Sequence, residues 1–467
     1  ESEDLQERID TVITDLNKAG EHLFKDSHFK TEFEKLQLAL SNLSLIGQNP
    51  DSIDLEVYGL SNRRILQNFA LVFKSDESAK HIPLRYQGYG AQNAMLITAI
   101  LQLISANLEK NLIVAFEEPE QNLEPYFQRL LIKRITALTK ERDKHLSSQV
   151  LMSTHSRDVV EMFPLKNVKI VNADNAFTEH KVISIREETK DPEWKNFLNR
   201  LESRNKDEVV NGFFAKAVLL VEGSAEKGAL PIFSRHIEKG FDEFGIEIIC
   251  CGGKGEMLKY ARYFKDISIK VFSLCDNDLS SQSNDKDFRE IAKKSALALR
   301  WSKNFETALL SSKKFQQKFF EVCQKEFRWP HEREIFFRDT FCAEEKGKAV
   351  NETLKSFYEL RAYTNVNLDN LSPEELAPLL KKEGLLSEYQ QLFLHRHCSS
   401  VRVARFLAET ICSEIGEIPA AIRRFFGVIS EYQYGKISNL KKGDFIKSES
   451  LKLGQVVLSS PLAVQLC

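Results

Sequence analysis

A chain of 467 residues, 42% apolar and 28% charged, has the composition of an ordinary globular protein with room for two or three cores. Its net charge of −2 neither demands nor excludes a polyanionic partner, because a local basic groove is compatible with a near-neutral total. The eight Cys show neither CxxC zinc pairs nor the density of a disulfide scaffold, and no apolar run approaches a bilayer span; the expectation is a soluble, cytoplasmic protein with reduced thiols and no membrane partner.

Along residues 1–42, Leu5, Ile9, Val12, Ile13 and Leu16 recur at helical spacing and predict an amphipathic helix or helical hairpin. Residues 53–57 and 65–73 alternate like strands, and 94–108 read as a strongly apolar helix. The runs 112–116, 150–153 and 168–171 are short and continuously apolar, the pattern of strands buried on both faces. Strands separated by helices predict a parallel α/β sheet. The highly charged stretch 186–208 predicts a connecting helix or linker.

The run at 112–116 ends in Glu117 and Glu118. Adjacent acids after a strand are by themselves most often a solvated turn, but at the carboxyl end of a buried strand the first can hold an ion and the second orient a water. Upstream, Gly88 and Gly90 with Gln92 precede the apolar helix, and glycines there leave backbone N–H groups open to a phosphate. Downstream, His155 in Ser153-Thr154-His155-Ser156 follows another strand. In this order the segments resemble the signature, Walker B, D-loop (119–125) and switch-His series of ABC-type ATPases, which implies ATP as cofactor, Glu117 as ion-holding acid, Glu118 as catalytic acid and His155 near the γ-phosphate. The phosphate-cradling loop GxxxxGK[ST] has no match anywhere in the chain. Either the nucleotide-gripping lobe precedes Glu1 or the domain has degenerated; the resemblance and the absence of an initiator Met favour the first expectation.

A second α/β unit follows. Residues 217–221 predict a strand, 225–238 a helix, 246–251 a strand, 255–264 a helix and 269–274 a strand; from 303 onward the pattern is mostly helical, with a weakly patterned tail. Glu222 ends the first of these strands, Gly223 permits a tight turn, and Glu226 falls on the first turn of the next helix. The third strand ends in Asp276-Asn277-Asp278, whose two acids share one side of an extended backbone. Four carboxylates at neighbouring strand ends repel one another unless cations intervene, and hard oxygen donors select Mg2+ or Mn2+.

The Glu and Asp-x-Asp pairing on a βαβ unit resembles the Toprim domain of topoisomerases, primases and related nucleases, and the added Glu226 resembles the nuclease type. The segment 301–310 resembles the place where these nucleases carry a further metal-directed acid, here Glu306; without the resemblance, Glu306 is a first-turn helix acid favoured by the helix dipole. The segment 399–409 resembles a late basic motif in which a Lys commonly neutralises the scissile phosphate; this chain has Arg402, whose role would be electrostatic.

The order of ATPase, Toprim and helical tail resembles the OLD (overcoming lysogenisation defect) nucleases, which include the nuclease subunit of the Gabija antiphage system. The expected layout is an α/β chain: the second part of an ABC-type ATPase domain at 1–185, a linker at 186–210, a Toprim (Rossmann-like) domain at 211–320 and a helical C-terminal region at 321–467. The resemblance implies an ATPase-coupled, metal-dependent DNA endonuclease in antiphage defence, with DNA as substrate, a homo-oligomer formed through the ATPase domain, and a defence-system partner protein or RNA. A competing reading is an SMC-like DNA-binding ATPase with a non-catalytic Toprim fold, against which the intact acid set argues. A topoisomerase or primase would need a nucleophilic Tyr domain or a zinc module, and the Cys spacing gives no zinc module.

Overall fold

In the computed structural model the described residues are 86–106, 113–138, 149–173, 180–184, 191–277, 282–326, 368, 371–398 and 400–434, with short strands and isolated helical positions elsewhere. Most of the helix expected over residues 1–42 lies outside them, although positions 15 and several within 30–38 are helical. The chain divides into two compact units, Glu1–Pro164 and Leu165–Cys467.

In the first unit β1 (Ile53–Val57), β2 (Phe69–Lys74) and β3 (His81–Pro83) form an antiparallel sheet. Then come α1 (Tyr89–Ala106), β4 (Ile113–Glu117), α2 (Pro125–Leu138), β5 (Gln149–Ser153) and α3 (Arg157–Glu161). β4 and β5 pair in parallel, with Ile113 opposite Gln149 and Glu117 opposite Ser153. Side chains alternate across a strand, so Val114, Phe116, Val150 and Met152 share one face and pack on Ala94, Met95, Leu131 and Ile132. The other face is open: Ile113 is 72% and Leu151 60% exposed. This corrects the expectation of strands buried on both faces, because among the described residues the helices pack on the side bearing Phe116.

The second unit opens on β6 (Lys169–Ala173) and β7 (His180–Ser184), which pair antiparallel. The apolar run at 168–171 therefore belongs to an antiparallel pair and not to the expected parallel sheet; a short reversal suffices for antiparallel pairing, whereas parallel pairing needs a long crossover. The charged stretch that follows forms α4 (Pro192–Arg204) and α5 (Lys206–Phe213). The Asp191 side chain accepts N–H bonds from Glu193 and Trp194 and so starts α4, with Pro192 in its first turn. Trp194, Phe197 and Leu201 are buried, with the Phe197 ring 5.2 Å from Tyr260.

The main sheet is built from β8 (Ala217–Val221), α6 (Ser224–Arg235), α7 (Phe241–Phe244), β9 (Ile246–Cys250), α8 (Lys254–Asp266), β10 (Lys270–Cys275), α9 (Gln282–Lys294) and β11 (Leu297–Arg300). All five residues of β8 are fully buried, as a central parallel strand requires. Helices follow: α10 (Phe305–Leu309), α11 (Lys313–Gln317), α12 (Phe319–Glu326), α13 (Pro373–Lys382), α14 (Leu386–His397), α15 (Val401–Thr410) and α16 (Ala420–Gln433). The expected weakly patterned tail instead supplies strands. β12 (Ile437–Ser438) pairs with β14 (Val456–Val457), while β13 (Phe445–Lys447) and β15 (Leu462–Gln465) join the main sheet. β15 docks in parallel on β11, whose backbone groups would otherwise form an open edge.

The resulting order is β13-β15-β11-β10-β8-β9, and every neighbouring pair is parallel. The chain leaves β8 for β9 on one side and returns to β10 on the other. That reversal makes a topological switch point between β8 and β10, and the crevice at their carboxyl ends is where such sheets bind ligands. Phe272, Trp301, Phe305, Phe319, Phe393 and Phe425 belong to one core shared by the sheet and the later helices.

Gly228 on α6 fixes how closely α15 approaches, since a Cβ there would stand 2.4 Å from the Val401 carbonyl oxygen. Gly228→Ala must push the two backbones apart, an overpacking cost of about 1–3 kcal/mol. Thermal unfolding should report it as a lowered transition; an unchanged one would contradict this packing. No helix among the described residues is long and apolar enough to cross a membrane. Cys250, Cys251, Cys275, Cys323, Cys398 and Cys412 are free thiols, while Cys342 and Cys467 lie outside the described residues.

Candidate functional site

At the switch point the apolar strand β8 runs out into Glu222, and the Glu222 carboxylate accepts the backbone N–H of Asp276 at 3.3 Å. The two strand ends are thus joined through one of the acids. Asp276 Oδ1 in turn accepts the N–H of Phe305 at 3.1 Å, at the start of α10. Asn277 fastens the same loop, donating its N–H to Lys303 O at 2.6 Å and its side-chain amide to Ser302 O at 2.9 Å. Asn304 caps α10 through the Thr307 N–H, which leaves Glu306 in the first helical turn beside Asp276.

Glu226 lies one turn into α6 and is 2% exposed. Its carboxyl folds back toward Gly223, where an added Cβ would stand 3.1 Å from Oε2. Burial pushes the Glu226 carboxyl well above the usual carboxylate range; the charge of Asp276 adds to this, with Glu306 and Glu222 after it, against the pull of its own backbone N–H. Three other acids of the expected set, Asp276, Glu306 and Glu222, therefore act on Glu226. Cys275 and Cys398 register the same field: burial raises both thiols, helped by Glu222 and Asp276 at the first and by Glu306 and Glu226 at the second.

Asp278 lies outside the described residues. Among the described residues, no three or more His, Cys, Asp or Glu side chains are grouped so that they could hold a metal ion. Arg402 is not among the groups that shift Glu226; it sits on α15 with an exposed side chain and is ion-paired with Glu326 at the end of α12. His395, which the sequence reading did not single out, faces Glu306 with its Nδ1 3.4 Å from Oε1. Their separation of 89 positions leaves no local pattern by which sequence could have paired them.

In the first unit, Glu117 ends β4 with an exposed side chain, and Glu118 takes a left-handed backbone with φ of 41°. A non-glycine residue in that region is strained and is held by its surroundings. Its N–H donates to Ser153 O at 3.1 Å, Oε2 accepts from Gln121 Nε2 at 2.5 Å, and Oε1 lies 3.3 Å from His155 Nε2. The acid and the histidine expected near the γ-phosphate are thereby in contact. Glu120, to which the sequence reading gave no role, organises this corner. It is 7% exposed, and its Oε1 accepts Thr154 Oγ1 at 2.5 Å and the His155 N–H at 3.1 Å.

Gly88 immediately precedes α1 and opens on free space, while Gly90 lies inside its first turn, where a Cβ would meet Asn122 O at 2.4 Å. Close packing against the 119–125 loop accounts for Gly90. The Gln92 side chain donates to Gln87 O at 2.8 Å and ties down the turn containing Gly88.

Residues 213–278 match the family described as overcoming lysogenization defect protein-like, TOPRIM domain, and residues 1–160 match the AAA ATPase domain. The chain is 24% identical over 312 residues to the endonuclease GajA of Bacillus cereus, across 62% of this chain and 44% of that protein. It is 28% identical over 207 residues to the OLD nuclease of Thermus scotoductus, across 44% of this chain and 38% of that protein. The chain thus spans less than half the length of either relative. Among solved structures, the C-terminal region of the Xanthomonas campestris pv. campestris OLD protein aligns over 47% of this chain and 99% of its own, at 17% identity and a TM-score of 0.22. That of Burkholderia pseudomallei aligns over 43% and 99%, at 14% and 0.21; neither score carries weight. With a match to an ATPase domain followed by a match to an OLD-like Toprim domain, the chain is similar to the OLD (overcoming lysogenisation defect) nucleases in both parts.

Proposed function

We propose that this chain is a divalent-metal-dependent DNA endonuclease coupled to an ATPase, acting in the cytoplasm in antiphage defence. The observation that carries the reading is the buried Glu226 carboxyl, held in the field of Asp276, Glu306 and Glu222 at the mouth of the switch-point crevice. Such a concentration of like charge has no structural benefit of its own, and its natural counterpart is a cation. The donor chemistry fits Mg2+ or Mn2+: the acids offer carboxylate oxygens, and Glu306 Oε2 is buried with no hydrogen-bond partner among the described residues. Glu222, Glu226, Asp276 and Glu306 would hold the ion, with Asp278 completing the set.

When bound, a divalent ion supplies Lewis acidity to a phosphodiester and a more acidic water for in-line attack. The chain's own contribution is placement. Glu222 fixes the Asp276 backbone, Asp276 fixes the Phe305 N–H, and the capped turn after it holds Glu306. Arg402, released from Glu326, would serve an electrostatic role toward the substrate phosphate. The names of the two relatives support nuclease chemistry, and the antiphage role, DNA substrate, homo-oligomerisation through the ATPase unit and a defence-system partner extend from the OLD resemblance. The domain boundaries at 185, 210 and 320 are part of the same proposal. Supercoiled plasmid incubated with the protein and Mg2+ or Mn2+ should be nicked and linearised, and EDTA should stop it; intact plasmid under all metal conditions would favour the SMC-like binding reading.

Glu118 and His155 are assigned to ATP, with Glu117 holding the nucleotide's ion and Gly88, Gly90 and Gln92 forming the signature turn. Because GxxxxGK[ST] has no match in these residues, they are expected to hydrolyse little ATP by themselves; joined to a lobe that supplies that loop, Glu118→Gln is expected to lower phosphate release by about 10²-fold or more and to leave metal-dependent nicking within about twofold. Phosphate release and plasmid nicking measured side by side check this. Equal loss of both activities would mean that the sites are not chemically independent.

A further inference from the structure

Past the last paired residues of β10 and β11, Cys275 and Arg300, the parallel ladder takes one more step: the Trp301 N–H donates to Cys275 O at 3.0 Å. A regular parallel ladder would next run from the Asn277 N–H to the carbonyl of Trp301, because each bonded residue joins the two residues that flank its partner. The bond runs instead to Lys303 O, two residues farther on, at 2.6 Å. The chain leaving β11 therefore holds two extra residues against the acid-bearing loop.

The Ser302 carbonyl in this bulge accepts the Asn277 side-chain amide at 2.9 Å. Asn277 thus pins the bulge twice, once from its backbone and once from its side chain. The pinned chain runs on to Asn304, the cap of α10, and brings the Phe305 N–H to Asp276 Oδ1 at 3.1 Å, with Glu306 the next residue. From the other side α14 holds the same turn, where Lys303 Nζ donates to Gln391 Oε1 at 2.7 Å and His395 Nδ1 stands 3.4 Å from Glu306 Oε1.

The residue type suits the task. A second donor beside the backbone N–H needs a short side chain ending in N–H or O–H, and an ionised Asp offers only acceptors. In Asp276-Asn277-Asp278 the donor side chain lies between two acids assigned to the ion.

We propose that Asn277 is a positioning residue of the nuclease site, locking the loop after β10 to the turn before α10 and so fixing Glu306 relative to Asp276. The proposal rests on the metal-dependent reading of the acid set and adds no ligand to it. A clamp of this kind spares the ion from gathering two loose segments, so its loss is felt in ion affinity and not in the grip on DNA.

The test compares the full chain with Asn277→Ala and with Asn277→Leu, which keeps the branched shape of the side chain and has no donor. Amide exchange is measured first, in EDTA. The Phe305 amide should exchange about tenfold or more faster in both variants, while the amides of β8 keep their wild-type protection and so certify the fold. Wild-type protection of Phe305 in a folded variant overturns the clamp; should one variant lose protection in β8, the other decides. The metal-stripped proteins are then titrated calorimetrically with MnCl2, and initial plasmid nicking is followed against Mn2+ and against DNA. The variants should lose about tenfold or more in Mn2+ affinity, with the Mn2+ needed for half-maximal nicking raised to match and the KM for plasmid within about twofold. Unchanged Mn2+ affinity beside a lowered kcat or a lowered unfolding temperature would make Asn277 merely structural and overturn its part in the site. Wild type that binds no ion overturns the metal-dependent reading and with it the effect on ion affinity, while exchange in EDTA still decides the clamp. Wild type that binds Mn2+ but cuts no plasmid removes the nuclease reading alone.

Discussion

Asp276→Asn is expected to reduce plasmid nicking by about 10²–10³-fold or more while leaving the fold intact. The loss follows from neutralising one of the acids assigned to the ion, a carboxylate that accepts the Phe305 N–H at the start of α10 and whose residue donates its backbone N–H to Glu222. The fold survives because Oδ1 of Asn can still accept the Phe305 N–H, and because the Asp276 backbone N–H that reaches Glu222 is untouched. Removing one negative charge also relieves Glu226, for which Asp276 is the largest charge influence. Initial nicking rates at saturating Mn2+, with near-ultraviolet circular dichroism of the same samples, check both halves. Wild-type nicking by a folded Asp276→Asn protein would remove this residue from the site.

Glu226→Gln should have opposite effects on activity and on stability. Nicking should fall about as far as for Asp276→Asn, since the variant lacks the charge of the most buried acid of the set. Stability without divalent ions should instead rise at alkaline pH. The folded carboxyl keeps its proton above the pH at which the unfolded one releases it. Its contribution to stability is therefore full below the ordinary carboxylate range and is lost as pH rises through the folded value. Gln carries no charge to desolvate, so at pH ~8 the variant should be more stable by on the order of 1–3 kcal/mol, and the difference should shrink toward pH ~4. Mn2+ should raise the unfolding temperature of wild type more than that of the variant. Calorimetric unfolding at both pH values, with EDTA and with Mn2+, reads all of this; a variant less stable than wild type at both would mean that the neighbouring acids do not burden Glu226.

The main sheet was legible because its signals are local. Five consecutive apolar residues at 217–221 can only be a buried strand in this setting, and acids placed at the next position and one helical turn later must meet at its carboxyl end. Glu306 came from a resemblance, since a first-turn acid has an ordinary explanation; its electrostatic influence on Glu226 depends on the Asp276 to Phe305 bond, which no spacing announces. Glu120 and His395 were missed for the same reason: their partners lie 34 and 89 positions away. Arg402 shows that a basic residue in the expected segment can be engaged elsewhere, here by Glu326.

The errors of fold have a common origin in edges and faces. Ile113 and Leu151 satisfy the pattern of a doubly buried strand yet lie on an open face, because an apolar run states what a strand tolerates and not what covers it. The run at 168–171 found an antiparallel partner nearby, and Leu462–Gln465, too short to stand out in a Lys- and Ser-containing tail, pairs with β11 from 165 positions away.

The most direct test of the central claim is anomalous diffraction from crystals of the full chain grown with Mn2+. The account predicts a manganese peak at the β8 and β10 strand ends, bounded by Glu222, Glu226, Asp276 and Glu306. Saturating Mn2+ with no peak there, or with the ion held elsewhere while these four acids keep their present partners, would contradict it.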